Sequence, residues 1–245
     1  MNFTYKDYSN MLHTLQQKGY SFANYHTCHN HDRCVILRHD IDYSIIKAVE
    51  LAGIEYSLDV KSNYFVLISS PFYNIISKDV YEKLNLISRW GHDIGLHFDE
   101  TNYDENYFTN NGGIKSVILR EVELLENILG KEVKSISMHR PSTRTLEADY
   151  DFGDIANSYG KVFFKDYKYI SDSRRTWREN VDEIIKSGKY NKLHILTHAF
   201  WYNYQEETID ETVLKFIKSA VEERYDILND NISNLQEIVD KKKIL

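Results

Sequence analysis

Four short apolar runs in this chain finish on residues that can bind a metal ion or move a proton. They are Val35-Ile36-Leu37-Arg38-His39-Asp40-Ile41-Asp42, Asp93-Ile94-Gly95-Leu96-His97-Phe98-Asp99, Ser135-Ile136-Ser137-Met138-His139-Arg140-Pro141 and Leu193-His194-Ile195-Leu196-Thr197-His198. Imidazoles and carboxylates gathered in one place supply metal ligands and acid–base groups together. In Asp40-Ile41-Asp42 the two carboxylates fall on one face of an extended chain. One of them can then hold a divalent ion while the other accepts a proton from water. An isolated Asp-x-Asp would more simply cap the following helix, but the company of His97, His139 and His198 favours the chemical reading. Arg38 lies on the same face as Asp40 and can pair with these acids, and Arg140 can hold a carbonyl or phosphate oxygen. For both arginines a purely structural ion pair has equal standing.

The elements that must position these groups follow from the spacing. Apolar runs alternating with amphipathic helical stretches imply parallel strands joined by crossover helices, so the polar ends of the runs meet on one rim. That rim is where barrels of this kind keep their chemistry. Helices are predicted over 5–18, 44–58, 79–90 and 114–129, with an extended piece at 20–25 and strands at 35–39 and 62–68. Asp79 and Glu82 have the spacing of a capping box. Between 142 and 192 the signals mix, with short strands at 161–164 and 168–171 and a helix at 179–186. From Thr208, which forms a capping box with Glu211, apolar residues recur as far as Val239. That run fits one helix closing over the domain, two helices broken near Asn229-Asp230-Asn231, or a contact between two copies of the chain. Pro141, one of two prolines, fixes the chain where it leaves its strand and so sets the direction of Arg140.

Composition narrows the classes. A chain of 245 residues can bury one sizeable core, and a single domain over 1–245 is the expectation. The net charge is −7 and the one basic run is Lys241-Lys242-Lys243, which leaves no electrostatic footprint for nucleic acid. The N-terminus lacks the charged-then-apolar order of a signal peptide, and no stretch reaches the length of a membrane span; the expectation is a cytoplasmic protein. Cys28 and Cys34 are too few for a disulfide framework. His26, Cys28, His29, His31 and Cys34 form a loop rich in soft ligands, but their spacing matches no zinc knuckle, and a polar turn is the better account. His92 and His97 stand five residues apart, about 16 Å along one strand. Only His97 can reach the rim, and His92 is predicted to be a hydrogen-bonded structural histidine. The same argument separates His198 from His194.

Taken in order, Arg38-His39-Asp40-Ile41-Asp42, Gly91-His92-Asp93-Ile94-Gly95-Leu96-His97, Arg140-Pro141 and Leu196-Thr197-His198 resemble the successive motifs of the polysaccharide deacetylase superfamily, carbohydrate esterase family four, over roughly residues 33–203. The resemblance implies an α/β fold, a distorted (β/α)7-type barrel followed here by a long C-terminal helical segment. It also implies a hydrolase acting on non-peptide C–N bonds, with a divalent metal, most often zinc, held by one Asp and two His. By its motifs Asp42 corresponds to the metal-binding Asp, His97 to the first metal His, Asp40 to the catalytic base and His198 to the general acid. Arg140 joins the catalytic set. The family has adjacent aspartates where this chain has Ile41 between them, so the roles of Asp40 and Asp42 can be exchanged. Where the family places its second metal His, this chain has Thr101. His139 is the first candidate to replace it, with Asp99 and Glu100 behind. Arg38, Trp201 and Tyr202 are candidate substrate contacts, the aromatics by stacking on a sugar ring.

The substrate so implied is a small carbohydrate, an N-acylated amino sugar or a nucleotide- or lipid-linked sugar of surface-polysaccharide metabolism. Two other readings stay open: a metal-dependent sugar isomerase or aldolase on a similar barrel, and a non-catalytic carbohydrate-binding relative.

Overall fold

In the computed structural model, which describes residues 1–241, every pairing between strands is parallel. Lys242 and Lys243 of the basic run lie outside the described residues. The chain opens with α1 (Tyr5–Gln17), capped by the Thr4 side chain, and β1 (Ser21–Ala23). Then come β2 (Cys34–Ile41), α2 (Ile45–Ser57), β3 (Asn63–Val66), α3 (Lys78–Arg89) and β4 (Asp93–Asp99). A second series follows with α4 (Glu105–Asn110), α5 (Gly113–Leu129), β5 (Ser135–His139), α6 (Thr143–Ala148) and β6 (Ala156–Asn157). It continues through α7 (Lys161–Lys165), β7 (Lys168–Ser171), α8 (Val181–Ser187) and β8 (Lys192–Thr197).

Seven strands line up in the order β6-β5-β4-β3-β2-β8-β7, and β1 pairs with the opening residues of β2. The sheet is strongly curled. Arg38 on β2 donates a hydrogen bond from Nη2 to Ser137 Oγ on β5, although β3 and β4 stand between them in the order. In a flat sheet those strands would be separated by about 14 Å. The same guanidinium lies 4.6 Å from the ring centre of Tyr159, just beyond β6. This is the distorted barrel expected from the sequence.

Alternation along β2 divides the apolar residues between two layers. Val35, Leu37 and Ile41 join the large core under the helices. Ile36 instead packs inside the barrel with Tyr25, Phe65, Phe163 and Tyr167. His39 also points to the helix side, where Glu55 of α2 is fully buried. Glu55 accepts hydrogen bonds from Tyr8 (2.5 Å), Ser62 (2.6 Å) and Tyr64 (2.7 Å), with His39 Nε2 at 2.8 Å. Burial alone would raise the Glu55 pKa, but His39 and the donors outweigh it and hold the pKa down to about 2. His92 has the structural role predicted, 2.9 Å from Ser62 Oγ and 3.1 Å from the Ala52 carbonyl.

Two local expectations are corrected. The cap of α3 is Ser77, whose side chain accepts from the Val80 amide, and Asp79 pairs instead with Lys83; the capping-box spacing was coincidental. Segment 161–164 is helical, in α7, because β6 and β7 both run parallel to the sheet and a chain linking such strands needs a crossover rather than a hairpin. The helix α6 and the two-residue β6 had no signal in the sequence.

Among the described residues, those numbered 205–241 belong to a second compact unit, distinct from Met1–Tyr204. It contains α9 (Ile209–Asn231), opened by the reciprocal Thr208–Glu211 capping box, and α10 (Leu235–Ile238). The two-helix alternative holds, with the break reached at Ile232 and Asn234 in the left-handed region at φ 60°. Leu214 and Ile217 of α9 are exposed. No helix among the described residues is long and apolar enough to cross a membrane.

Gly95 has a packing reason. It lies in the middle of β4, and a Cβ there would meet the Phe65 ring at 2.6 Å and the Ser135 carbonyl oxygen at 2.7 Å. The second contact is backbone and cannot swing away. Gly95→Ala is expected to cost about 1–3 kcal/mol, read as a lower midpoint in urea unfolding; an unchanged midpoint would show slack between β3, β4 and β5.

Candidate active site

The parallel register carries the polar strand ends to one side of the barrel. Arg38 is level with Leu196 of β8, Asp40 with Phe65 of β3, His97 with Ser137 of β5, and Asp99 with His139. Asp40, Asp42, His97, His139, His198 and Trp201 all line one cleft of about 1100 Å³.

Within it three side chains converge. Asp42 Oδ1 lies 3.3 Å from His97 Nε2 and 3.2 Å from His139 Nδ1, and the two nitrogens are 3.2 Å apart. One ligand atom from each residue falls within 4.8 Å of the other two. No other such group of His, Cys, Asp and Glu occurs among the described residues. Cys28 and Cys34 are buried, and His26 Nε2 is taken up by the Lys134 carbonyl at 2.7 Å.

The converging set fits a divalent ion on its own chemistry. Asp42 Oδ1 is buried and makes no hydrogen bond among the described residues, although it faces two ring nitrogens. Burial would raise the pKa of Asp42, but His139 and His97 outweigh it and keep the carboxyl well below its usual range. The His97 ring is oriented from behind, with Nδ1 3.0 Å from Ser137 Oγ, which leaves Nε2 to face the site. Such a partner on the far nitrogen is the usual support of a metal-binding histidine.

Asp40 sits one step deeper and is almost fully buried. Arg38 Nε donates to its Oδ1 at 2.9 Å and Nη2 to its Oδ2 at 2.7 Å. Burial pushes the Asp40 pKa up, and Arg38 together with His97 more than reverses that, so its carboxylate stays ionised. On the other flank His198 Nδ1 lies 2.6 Å from Asp172 Oδ1, and the His198 amide donates to both Asp172 oxygens at 3.1 and 3.0 Å. Burial alone would lower the His198 pKa; Asp172 first, then Asp42 and Asp40, raise it to about 9. His198 Nε2 faces Asp42 Oδ2 at 3.9 Å.

Two sequence expectations fall elsewhere. Arg38 is fully buried beneath the cleft and pairs with Asp40 rather than reaching a substrate. Tyr202 is also buried, its hydroxyl donating to Asp172 Oδ2 at 3.3 Å, so of the two aromatics only Trp201 stands in the cleft wall. Arg140 does line the cleft but pairs with Asp99 at 2.7 Å. Its backbone is in the left-handed region at φ 49°, an unusual state for the residue before a proline. Of the lesser ligand candidates, Asp99 accepts from the Thr101 amide and hydroxyl, and Glu100 from the Ser142 amide and the Thr145 hydroxyl. Both are committed to loop structure.

Asp172 is the functional residue that the sequence reading missed. Its signal was present: it closes the run at 168–171 as Asp and His close the other four. Its neighbourhood of mixed periodicity hid it.

No protein-family model matches the chain, and no curated protein matches it. Among solved structures it is similar to a CE4 family pseudoenzyme from Bacillus anthracis, at 11% identity over 76% of this chain and 63% of that one, with a TM-score of 0.45. The chain thus spans less than two thirds of that protein. It is also similar to a family 4 carbohydrate esterase from Bacillus anthracis, at 17% identity over 91% and 90% of the two chains, TM-score 0.43. A third is a family 4 acetyl xylan esterase from Clostridium thermocellum in complex with a cobalt ion, at 12% identity over 78% and 84%, TM-score 0.42. All three are of the family whose motifs this sequence resembles, and likeness at this level carries no argument about activity.

Proposed function

We propose that this chain is a divalent-metal-dependent carbohydrate deacetylase, removing an acetyl or similar acyl group from an amino sugar or a nucleotide- or lipid-linked sugar. The observation that carries this reading is the convergence of Asp42, His97 and His139 in a cleft that is also lined by the Asp40 carboxylate and the His198 imidazole. Two nitrogens and one oxygen suit zinc best among common divalent ions. An ion held there supplies Lewis-acid polarisation of an acyl oxygen and eases the ionisation of water.

The remaining work falls to the protein's own groups. Asp40 accepts the proton of the attacking water, and Arg38 keeps it ionised and aimed. His198 donates a proton to the departing nitrogen, and Asp172 both orients that ring and keeps it charged. Trp201 offers a flat face to a sugar ring.

Loss of any ligand is expected to strip the metal. His97→Ala, His139→Ala and Asp42→Ala should each lose bound ion by elemental analysis with little change in fold, whereas Asp99→Ala retains it. Full occupancy in His139→Ala would remove that residue from the set. Asp40→Asn and His198→Ala should keep the metal yet release acetate from N-acetylated sugars roughly a hundredfold or more slowly.

The pH profile adds a separate test. A proton donor must be protonated, so activity should fall on the alkaline side as His198, whose pKa Asp172 raises, loses its proton. In Asp172→Asn the carboxylate that favours the charged ring is gone, the His198 pKa drops, and the alkaline limb should move to lower pH. A limb that stays in place would separate Asp172 from His198 in function.

A further inference from the structure

We infer that the cleft takes a sugar bearing a phosphate group, bound by Arg174 and Arg178; this rests on the deacetylase reading and specifies its substrate class. The chain as a whole is acidic, at −7, yet three arginines, Arg140, Arg174 and Arg178, line the cleft. The carboxylates that line it are already matched. Asp40 pairs with Arg38, Asp99 with Arg140, and Glu179 with Lys168 at 2.6 Å, while Asp42 belongs to the converging metal set. Arg174 and Arg178 have no ion pair among the described residues. Two cations are therefore left facing the cleft without an acid to neutralise them.

The backbone is committed to this placement. Arg174 (φ 59°, ψ 31°) and Arg175 (φ 55°) are consecutive non-glycine residues in the left-handed region, a conformation that persists only where its surroundings impose it. Here the Thr176 amide donates back to the Asp172 carbonyl at 3.2 Å, and the Ser173 amide to Ser171 Oγ at 3.0 Å. The turn sends its two arginines to different places. Arg174 enters the cleft wall, and the Arg175 guanidinium lies over Phe3, 5.2 Å from the ring centre. Asp172, which holds His198, is thus also the base of the arginine turn. A guanidinium offers a planar fork of donors that matches phosphate oxygens, and the rings of Tyr159, Phe164 and Tyr169 also line the cleft.

Titration calorimetry of the purified protein with methyl N-acetylglucosaminide, N-acetylglucosamine 1-phosphate and uridine diphosphate N-acetylglucosamine tests this, alongside the Arg174→Gln/Arg178→Gln double variant. Both substituted side chains are exposed, and an unchanged melting temperature checks that the variant folds. The phosphorylated sugars should bind roughly tenfold or more tightly than the neutral glycoside, the scale of one charge-assisted contact. That advantage should weaken with salt and vanish in the double variant. Tighter binding of the nucleotide sugar than of the 1-phosphate would identify a nucleotide-linked substrate; equal binding would identify the phosphate alone as the recognised group. The inference is overturned if the neutral glycoside binds as well as the charged ones, if the double variant keeps the advantage, if none of the three binds, or if only an acetamido uronic acid does. Acetate measured in the same samples reports on hydrolysis separately. Arginine-dependent binding without acetate would sink the deacetylase reading alone, and acetate released equally from the neutral sugar would sink this one alone.

Discussion

The buried pair of Arg38 and Asp40 is the interaction on which the rest of the site depends. A guanidinium with no exposed surface is tolerable only if its charge is met by a partner. Asp40 meets the charge with both oxygens. Ser137 takes a further bond from Nη2 across the barrel and places the same hydroxyl 3.0 Å from His97 Nδ1. One cation in the barrel interior therefore fixes Asp40, links β2 to β5 and, through Ser137, supports the His97 ring. Removing one partner of such a pair costs about 3–5 kcal/mol in general, because the other charge is stranded. The site and the stability of the barrel are here the same interaction.

The outer face of β2 shows the complementary arrangement. His39 points away from the cleft toward Glu55, which draws α1, α2 and β3 together through Tyr8, Ser62 and Tyr64. Strand alternation thus assigns neighbouring residues to opposite duties: Arg38 and Asp40 build the floor of the cleft while His39 anchors the helices. The His39 ring and the hydroxyl donors hold the Glu55 carboxyl well below its usual range despite its burial.

Charge around the cleft is sorted by partner. Asp172 holds His198 with two kinds of bond, to the ring and to the amide, so position and protonation state are set together. Asp99 holds Arg140, whose backbone is in the left-handed region just before Pro141. Each ion pair fixes the side chain that ends its strand.

The sequence by itself determined the parallel barrel and most of the rim. Periodicity marked β2, β4, β5 and β8 because buried parallel strands are continuous apolar runs, and a polar residue ending such a run is visible without any tertiary knowledge. It also separated His97 from His92 and His198 from His194, since strand length alone does that. What only the tertiary structure decided was which polar groups face one another. Arg38 read as a substrate contact and Arg140 as one of the catalytic set, and burial beneath the cleft set the first apart, as it distinguished Tyr202 from Trp201. His139 joins Asp42 and His97 because the β4–β5 register sets Asp99 level with it, and register between strands 40 residues apart leaves no trace in local spacing. Asp172 went unseen for the same reason: four residues of β7 are too few to show a period, and its meaning lies in a histidine on the strand beside it.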